Sequence, residues 1–376
     1  MPKALVIDDE AALTAVIARQ LKSAGFEVET ATSGSEGLAR ARSVIPDVVI
    51  VDVMMPNMDG YEVCRRLRRD PRTSRAAIVV LTARGQLVDK QIALRAGADA
   101  HMPKPYKGHD LLETIETVLA GRATSGQRAG QQVVVLRLTE GAGATTVAVN
   151  LAACLRGSQG MPVAIVDTVL RRGQVEYRLG LPAMWEWAEG DAKDPDVVAG
   201  RMVRHESGLW VLPAPPANVP QPVADDVASM LRIVSKWYDY VVVDTPFHLG
   251  SLAPVLIRSA HLVLLVLEPE VGVLRSAPAS ISAIQKLAGR SLSVWPVVNK
   301  AVAGGEVLRQ QLEQALRQPV MAMLPSDPAA SAEALMTGCP VVLGAPDSRL
   351  AAGLRELAGS VQKMFAAHPL RRIPTT

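Results

Sequence analysis

Short apolar runs alternate with helix-periodic segments along almost the whole chain, and no other feature narrows the fold so far. Over residues 1–120 the runs "KALVID", "FEVET", "PDVVIVDV", "AAIVVLTA" and "ADAHMPK" are followed in turn by "EAALTAVIARQLKSAG", "SGSEGLARARSV", "DGYEVCRRLRRD", "QLVDKQIALRAG" and "GHDLLETIETVLAG". Mostly apolar runs suit strands buried on both faces. Strict strand–helix alternation places such strands in one parallel sheet with helices on either side. The pattern predicts an α/β domain of five strands and five helices over 1–120.

The stretch 121–131, "GRATSGQRAGQ", breaks the periodicity with Gly, Ser and Arg, as a flexible linker does. From Gln132 the alternation resumes. Strands are expected at "QVVVLRL", "PVAIVD", "GLWVLPA", "YDYVVVD", "HLVLLVL", "SVWPVVN" and "PVMAMLP", with helices such as "ATTVAVNLAACLRG", "ADDVASMLRIVSKW" and "LRSAPASISAIQKLAG" between them. This is a second doubly wound domain, over 132–365. Its last helix, "DSRLAAGLRELAGSVQKMFAAH", carries an apolar stripe expected to pack on its own sheet, and 366–376 reads as a flexible tail.

Aromatic residues make up 3% of the chain, so its cores must be built from Val, Leu, Ala and Ile. A formal net charge of +3, with acids and bases interspersed, gives no basic stripe and predicts no specific nucleic-acid site. Cys64, Cys154 and Cys339 lack metal-ligand or disulfide spacing and lie in or beside apolar stretches, which suits buried free thiols in a reducing compartment. Asp8, Asp9 and Glu10 fall where a secretory signal needs its apolar region. The run "LVLLVL" at 262–267 is far short of the ~20 residues of a membrane-spanning helix. A cytoplasmic protein without a transmembrane segment is expected.

Chemistry in open parallel sheets gathers at the carboxyl ends of strands. In the first domain those ends carry Asp8 and Asp9, then Asp52, then Thr82, then Lys104 between Pro103 and Pro105. Carboxylates brought so close need a cation, and Mg²⁺, an oxygen-seeking ion that keeps several waters, is the natural one. A carboxylate held by such an ion and by an ammonium can attack a phosphoryl group, with Thr82 bonding the new phosphoryl oxygen. The constellation resembles the receiver domain of two-component response regulators, a flavodoxin-like (βα)5 fold, over residues 1 to about 120. The resemblance rests on the pair Asp8/Asp9, Asp52 in "DVMMPNMDG", Thr82 in "LTA" and Lys104 in "PKP". It implies that Asp52 is the phosphoacceptor and that Asp9, Asp52 and the Met54 backbone carbonyl coordinate Mg²⁺ beside Asp8. Thr82 is then the switch hydroxyl, and His101 occupies the usual place of the switch aromatic.

In the second domain "RLTEGAGATT" follows an apolar strand and opens a helix, the outline of a phosphate-cradling loop, yet it contains no lysine. The domain resembles the MinD/ParA group of P-loop ATPases and, more narrowly, its CpaE/TadZ branch, which serves tight-adherence (Flp) pilus assembly. That group's loop reads K-G-G-x-G-K-T-T. Gly141, Gly143, Thr145 and Thr146 match it, whereas Thr139 and Ala144 replace both lysines and Glu140 replaces a glycine. By the same resemblance Asp167 and Asp244 are strand-end acids of an ATP/ADP site, Asn299 meets the adenine edge and Pro325 belongs to the adenine-side loop. Val169 replaces the acid that positions the attacking water. Losing one preorganised charge at a developing anion typically costs ~3–4 kcal/mol, so these losses predict weak or no ATP hydrolysis, with nucleotide binding a separate question.

These likenesses imply a response regulator that takes its phosphoryl group from a sensor histidine kinase or phosphotransfer protein. Its ATPase-like domain would dimerise with a second copy and act in positioning a pilus secretion machine, at a pole or peripherally at the inner membrane through partners such as the pilus secretion ATPase. A receiver-gated working ATPase that positions cellular cargo is the rival reading. A DNA-binding regulator is disfavoured because no helix-turn-helix module follows the linker.

Overall fold

A computed structural model of the chain describes residues 1–82, 87–123, 130–157, 161–168, 174–181, 190–214, 223–246, 252–289, 291–301 and 305–367. The chain divides into two compact units, Met1–Gln127 and Arg128–Thr376.

The first unit runs β1 (Lys3–Ile7), α1 (Ala11–Ser23), β2 (Glu27–Ala31), α2 (Gly34–Val44), β3 (Val48–Asp52), α3 (Gly60–Arg69), β4 (Ala77–Thr82), α4 (Leu87–Ala96), β5 (Ala100–Pro103) and α5 (Gly108–Ala123). Its sheet has the order β2-β1-β3-β4-β5 with every neighbouring pair parallel, the flavodoxin-like arrangement. Strand side chains alternate between two cores, as the period of two requires. Leu5, Ile7, Val49, Val51, Ile78 and Val80 pack with Leu38, Val63 and Leu67 of α2 and α3. Ala4, Val6, Val48, Ile50, Val79 and Leu81 pack with Ile17, Leu21, Leu111 and Ile115 of α1 and α5. Local chemistry sets the helix starts. Ser33 Oγ accepts the Glu36 amide, and the Glu36 carboxylate accepts the Thr32 amide at 2.9 Å. Asp59 accepts the Glu62 amide at 2.7 Å and starts α3.

Gly60, the first residue of α3, sits where a Cβ would overlap the Asp52 carbonyl oxygen. Backbone on both sides leaves no side chain to move aside. Gly60→Ala is expected to destabilise this unit by about 2 kcal/mol, read as a lower urea midpoint. An unchanged midpoint would contradict this close packing.

The second unit runs β6 (Gln131–Arg137), α6 (Ala144–Arg156), β7 (Val163–Asp167), α7 (Val175–Arg178), α8 (Pro195–Arg201), β8 (Val203–Arg204), β9 (Trp210–Leu212), α9 (Ala224–Ser235), β10 (Tyr240–Pro246), α10 (Leu252–Ser259), β11 (Leu262–Leu267), α11 (Val271–Ala288), β12 (Ser293–Ala301), α12 (Gly305–Leu316), β13 (Ala322–Pro325), α13 (Pro328–Thr337), α14 (Val341–Gly344) and α15 (Arg349–Ala367). The sheet order is β13-β12-β11-β6-β10-β7-β9-β8. It is doubly wound and mixed, because β8 pairs antiparallel with β9 at one edge. The sequence pattern missed β8, whose two residues are too few to show a period. One face buries Val133, Val135, Val242, Leu264 and Val297 beneath α6 and α15. The other buries Val134, Leu136, Val243 and Leu265 beneath α9, α10 and α11. The last helix packs on its own sheet as expected. Leu350, Leu354, Leu357, Val361 and Phe365 of α15 are all buried, and the Phe365 ring lies 6.0 Å from that of Tyr240.

Helix α5 continues to Ala123 and β6 begins at Gln131, so the expected linker shares residues with both; 124–129 lie outside the described residues. Helix α15 reaches Ala367, and 368–376 also lie outside them. No helix among the described residues is long and apolar enough to cross a membrane. The three cysteines are free. Cys64 is buried as expected, whereas Cys154 and Cys339 are only partly covered. Burial pushes the Cys64 thiol up to about 12 and the Cys154 thiol up to about 11, so neither supplies a thiolate at neutral pH.

Candidate functional site

The strand order of the first unit makes β1 and β3 neighbours, so their carboxyl ends bring Asp8 and Asp52 together. Both are almost fully buried, at 2% and 5% exposed. Lys104, just past β5, sends its ammonium between them, 2.9 Å from Asp8 Oδ2 and 2.6 Å from Asp52 Oδ1. The remaining oxygens take backbone donors: the Glu10 amide reaches Asp8 Oδ1 at 3.0 Å and the Met54 amide reaches Asp52 Oδ2 at 2.7 Å. Lys104 is itself anchored by its amide, which donates to the Thr82 carbonyl at 2.7 Å, and Thr82 is buried at the end of β4. Burial lowers the Lys104 ammonium, but its bonds to Asp52 and Asp8 outweigh that, and its pKa lies above the ordinary lysine value.

Asp8, Asp52, Thr82 and Lys104 therefore meet at one rim. Asp9 is exposed beside them and Met54 is 69% exposed. Among the described residues no group of three or more His, Cys, Asp or Glu side chains is gathered as a metal cage. The expected three-carboxylate set is thus a buried pair with a third acid outside it. That pair still fits Mg²⁺, which keeps several waters and takes only one or two carboxylates. The Lys104 ammonium lodged between the two carboxylates shows that the place calls for a cation.

His101 lies in β5 opposite Val80, half-buried, and its Nε2 has no hydrogen-bond partner among the described residues. Tyr106, which the sequence reading passed over, also buries a hydroxyl with no partner there. Burial raises its pKa, and Lys104 acts on it in the opposite direction.

In the second unit the phosphate-loop candidate joins β6 to α6, with Gly141 at φ 81° and Gly143 at φ 83°. These left-handed positions need glycine. Gly143 caps α6, and a Cβ on it would overlap Asn299 Nδ2. Thr145 Oγ1 donates to Asp244 Oδ2 at 2.7 Å. The ladder sets Asp244 of β10 directly opposite Asp167 of β7. Asp167 Oδ2 accepts the amides of Gln174 and Val175 at 2.7 and 2.9 Å, which holds the start of α7. Glu176 and Arg178 of α7, absent from the sequence reading, enter the same neighbourhood. Glu176 is buried, and neither its Oε2 nor the buried Arg178 Nε has a hydrogen-bond partner among the described residues. Burial first, then the nearby Asp167 carboxylate, pushes both Asp244 and Glu176 up to about 7.

Asn299 is buried, and its Nδ2 donates to the Ala142 carbonyl at 2.8 Å. Thr146 lines a small, open pocket with Asn150, Arg178, Ser331 and Cys339. Pro325 ends β13, registered against Ala301. Val169 lies outside the described residues.

Residues 4–116 match the response regulator receiver domain family. Similar curated proteins include the DNA-binding dual master transcriptional regulator RpaA of Synechocystis sp., 39% identical over 119 residues, 32% of this chain and 49% of that protein. Another is the transcriptional regulatory protein AfsQ1 of Streptomyces coelicolor, 41% identical over 119 residues, 32% of this chain and 52% of that one. The chain thus spans about half the length of these relatives. Among solved structures, a ParA family ATPase from Chlorobium tepidum aligns with a TM-score of 0.54 at 20% identity, covering 61% of this chain and 99% of that one. At that identity the likeness is one of fold alone. Residues 4–116 are a response regulator receiver domain, and the chain also carries the fold of a ParA family ATPase.

Proposed function

We propose that Asp52 is phosphorylated by a sensor histidine kinase or phosphotransfer protein, and that the ParA-like unit is the output, acting in Flp pilus assembly with weak or no ATP hydrolysis. The observation that carries the reading is the Lys104 ammonium set between Asp8 and Asp52, with Thr82 buried at the adjoining strand end. An Asp52 carboxylate oxygen attacks phosphorus, an O–P bond forms, and the P–N bond of a donor phosphohistidine breaks, its imidazole leaving with a proton. Asp8, Asp52 and the Met54 carbonyl, with Asp9 at the rim, would hold Mg²⁺, which when bound would supply charge neutralisation for the transferring oxygens. Lys104 holds the acceptor before transfer and can pair with the phosphoryl group afterwards. Thr82 supplies a hydroxyl to it and His101 the ring that follows the switch. The added charge, close to two units, then alters self-association of the chain as a cytoplasmic homodimer.

The ATPase-like unit retains Gly141, Gly143, Thr145, Thr146, Asp167 and Asp244 around the loop, which supports binding of a magnesium–nucleotide complex. It lacks the loop lysines that would speed phosphoryl transfer. The purified chain is expected to release phosphate from MgATP no faster than its Asp244→Ala variant. Turnover well above that control would favour the rival, a working ATPase gated by the receiver. For the pilus assignment, a host strain carrying Asp52→Asn is expected to lose surface Flp pili, and unchanged piliation would overturn it.

A further inference from the structure

A loop that cradles phosphate must turn successive amides inward, which obliges its carbonyls to point away and find other donors. Here two adjacent residues of β12 supply those donors. Asn299 Nδ2 reaches the Ala142 carbonyl at 2.8 Å, and Lys300 Nζ reaches the Gly141 carbonyl at 2.9 Å. The amides of Gly143, Ala144, Thr145 and Thr146 have no acceptor among the described residues.

Lys300 occupies its place for a structural reason. The β12–β13 register shifts between Val298 and Ala301, and Lys300 takes a left-handed φ of 55°, uncommon for a residue with a Cβ. Such strain persists where surroundings fix it, often at working sites. The ammonium is half-exposed and also bonds Glu268 Oε1 at 2.8 Å. Beside this loop the fully buried Asp244 keeps Oδ1 without a partner among the described residues, while Oδ2 holds Thr145, in the first turn of α6. Free amides at a helix start favour an anion, whereas an unpartnered buried carboxylate repels one. A ligand that satisfies both is a polyphosphate carrying its own divalent cation.

We propose that Lys300 is the working cation of this lysine-less loop: with Asn299 it holds the loop open for phosphate, and its ammonium, released from Glu268, pairs with the phosphates of a magnesium-bound nucleoside polyphosphate. The inference rests on the nucleotide-binding reading above. It assigns the charge of the site to a strand end rather than to the loop, and it makes Glu268 a competitor for that charge.

The test is calorimetric titration of the full chain with MgATP and, separately, with magnesium tripolyphosphate, on the wild type and on Lys300→Ala, Lys300→Arg and Glu268→Gln. A charged hydrogen bond is worth roughly 1.5–3 kcal/mol, so Lys300→Ala should weaken both ligands by about tenfold or more. Lys300→Arg should stay within a few-fold of wild type, and Glu268→Gln should bind more tightly. Wild-type binding with an unaltered Lys300→Ala affinity would overturn the role of Lys300 while leaving nucleotide binding intact. Equal loss in Lys300→Ala and Lys300→Arg would overturn the charge pairing. No binding by the wild type would overturn the nucleotide reading itself, and this inference with it.

Discussion

Replacing Lys104 with Ala is expected to destabilise the receiver unit by about 3 kcal/mol at pH 7, since removing one partner of a buried ion pair leaves uncompensated charge. Two carboxylates, 2% and 5% exposed, would then face each other with, among the described residues, the Glu10 and Met54 amides for support. The dependence on added cation distinguishes this cause from lost packing. Lys104 has its pKa raised in the fold, so its contribution is fully present below the unfolded lysine value and fades only as pH rises through the higher folded one. Wild type should therefore keep this stabilisation across neutral pH. The deficit of the variant should shrink when another cation is supplied, and millimolar MgCl₂ should restore part of the lost stability. Urea unfolding of both chains at pH 7, with and without MgCl₂, checks this. A deficit that MgCl₂ leaves unchanged would show that Lys104 acts by packing.

Asp244→Asn should do the reverse and stabilise the second unit at high pH. Asp244 is fully buried, and burial together with Asp167 pushes its carboxyl up to about 7 from 3.8. Below about pH 4 both folded and unfolded chains hold the proton, so the group costs nothing. Between pH 4 and 7 the unfolded chain gives up its proton first, and stability is lost until the folded group also ionises. An amide keeps an acceptor for Thr145, removes the buried charge and can donate toward Asp167. The expected gain is on the order of 2 kcal/mol at pH 8, and it should vanish near pH 4. Thermal melts at the two pH values decide it. A variant no more stable than wild type at pH 8 would mean that Asp244 is not held as an uncompensated carboxylate.

The first unit was legible because its chemistry sits at strand ends, and strand ends can be found from periodicity. Asp8, Asp52, Thr82 and Lys104 each close or follow an apolar run, and a parallel sheet brings such ends to one edge. What periodicity could not give was the balance within the cluster: Lys104 between the two buried acids, with Asp9 left exposed. The second unit was legible in its strands and glycines and opaque in its charges. Glu176 and Arg178 become site neighbours only because α7 folds back against Asp167. Lys300 reaches the loop only through a register shift and a left-handed backbone, neither of which leaves a periodic trace. The single lost residue type, the loop lysine, was plain in the sequence, whereas a candidate substitute 159 positions away was visible only once the strands were in place.

The most direct measurement is labelling of the full chain with acetyl phosphate in MgCl₂, followed by mass spectrometry of the intact protein and of its peptides. The expected result is one added phosphoryl group per chain, located on Asp52, abolished in Asp52→Asn and greatly reduced in Lys104→Ala. Absence of labelling in the wild type, or labelling of Asp52→Asn to the same extent, would contradict a phosphoacceptor at the Asp8–Asp52–Lys104 cluster.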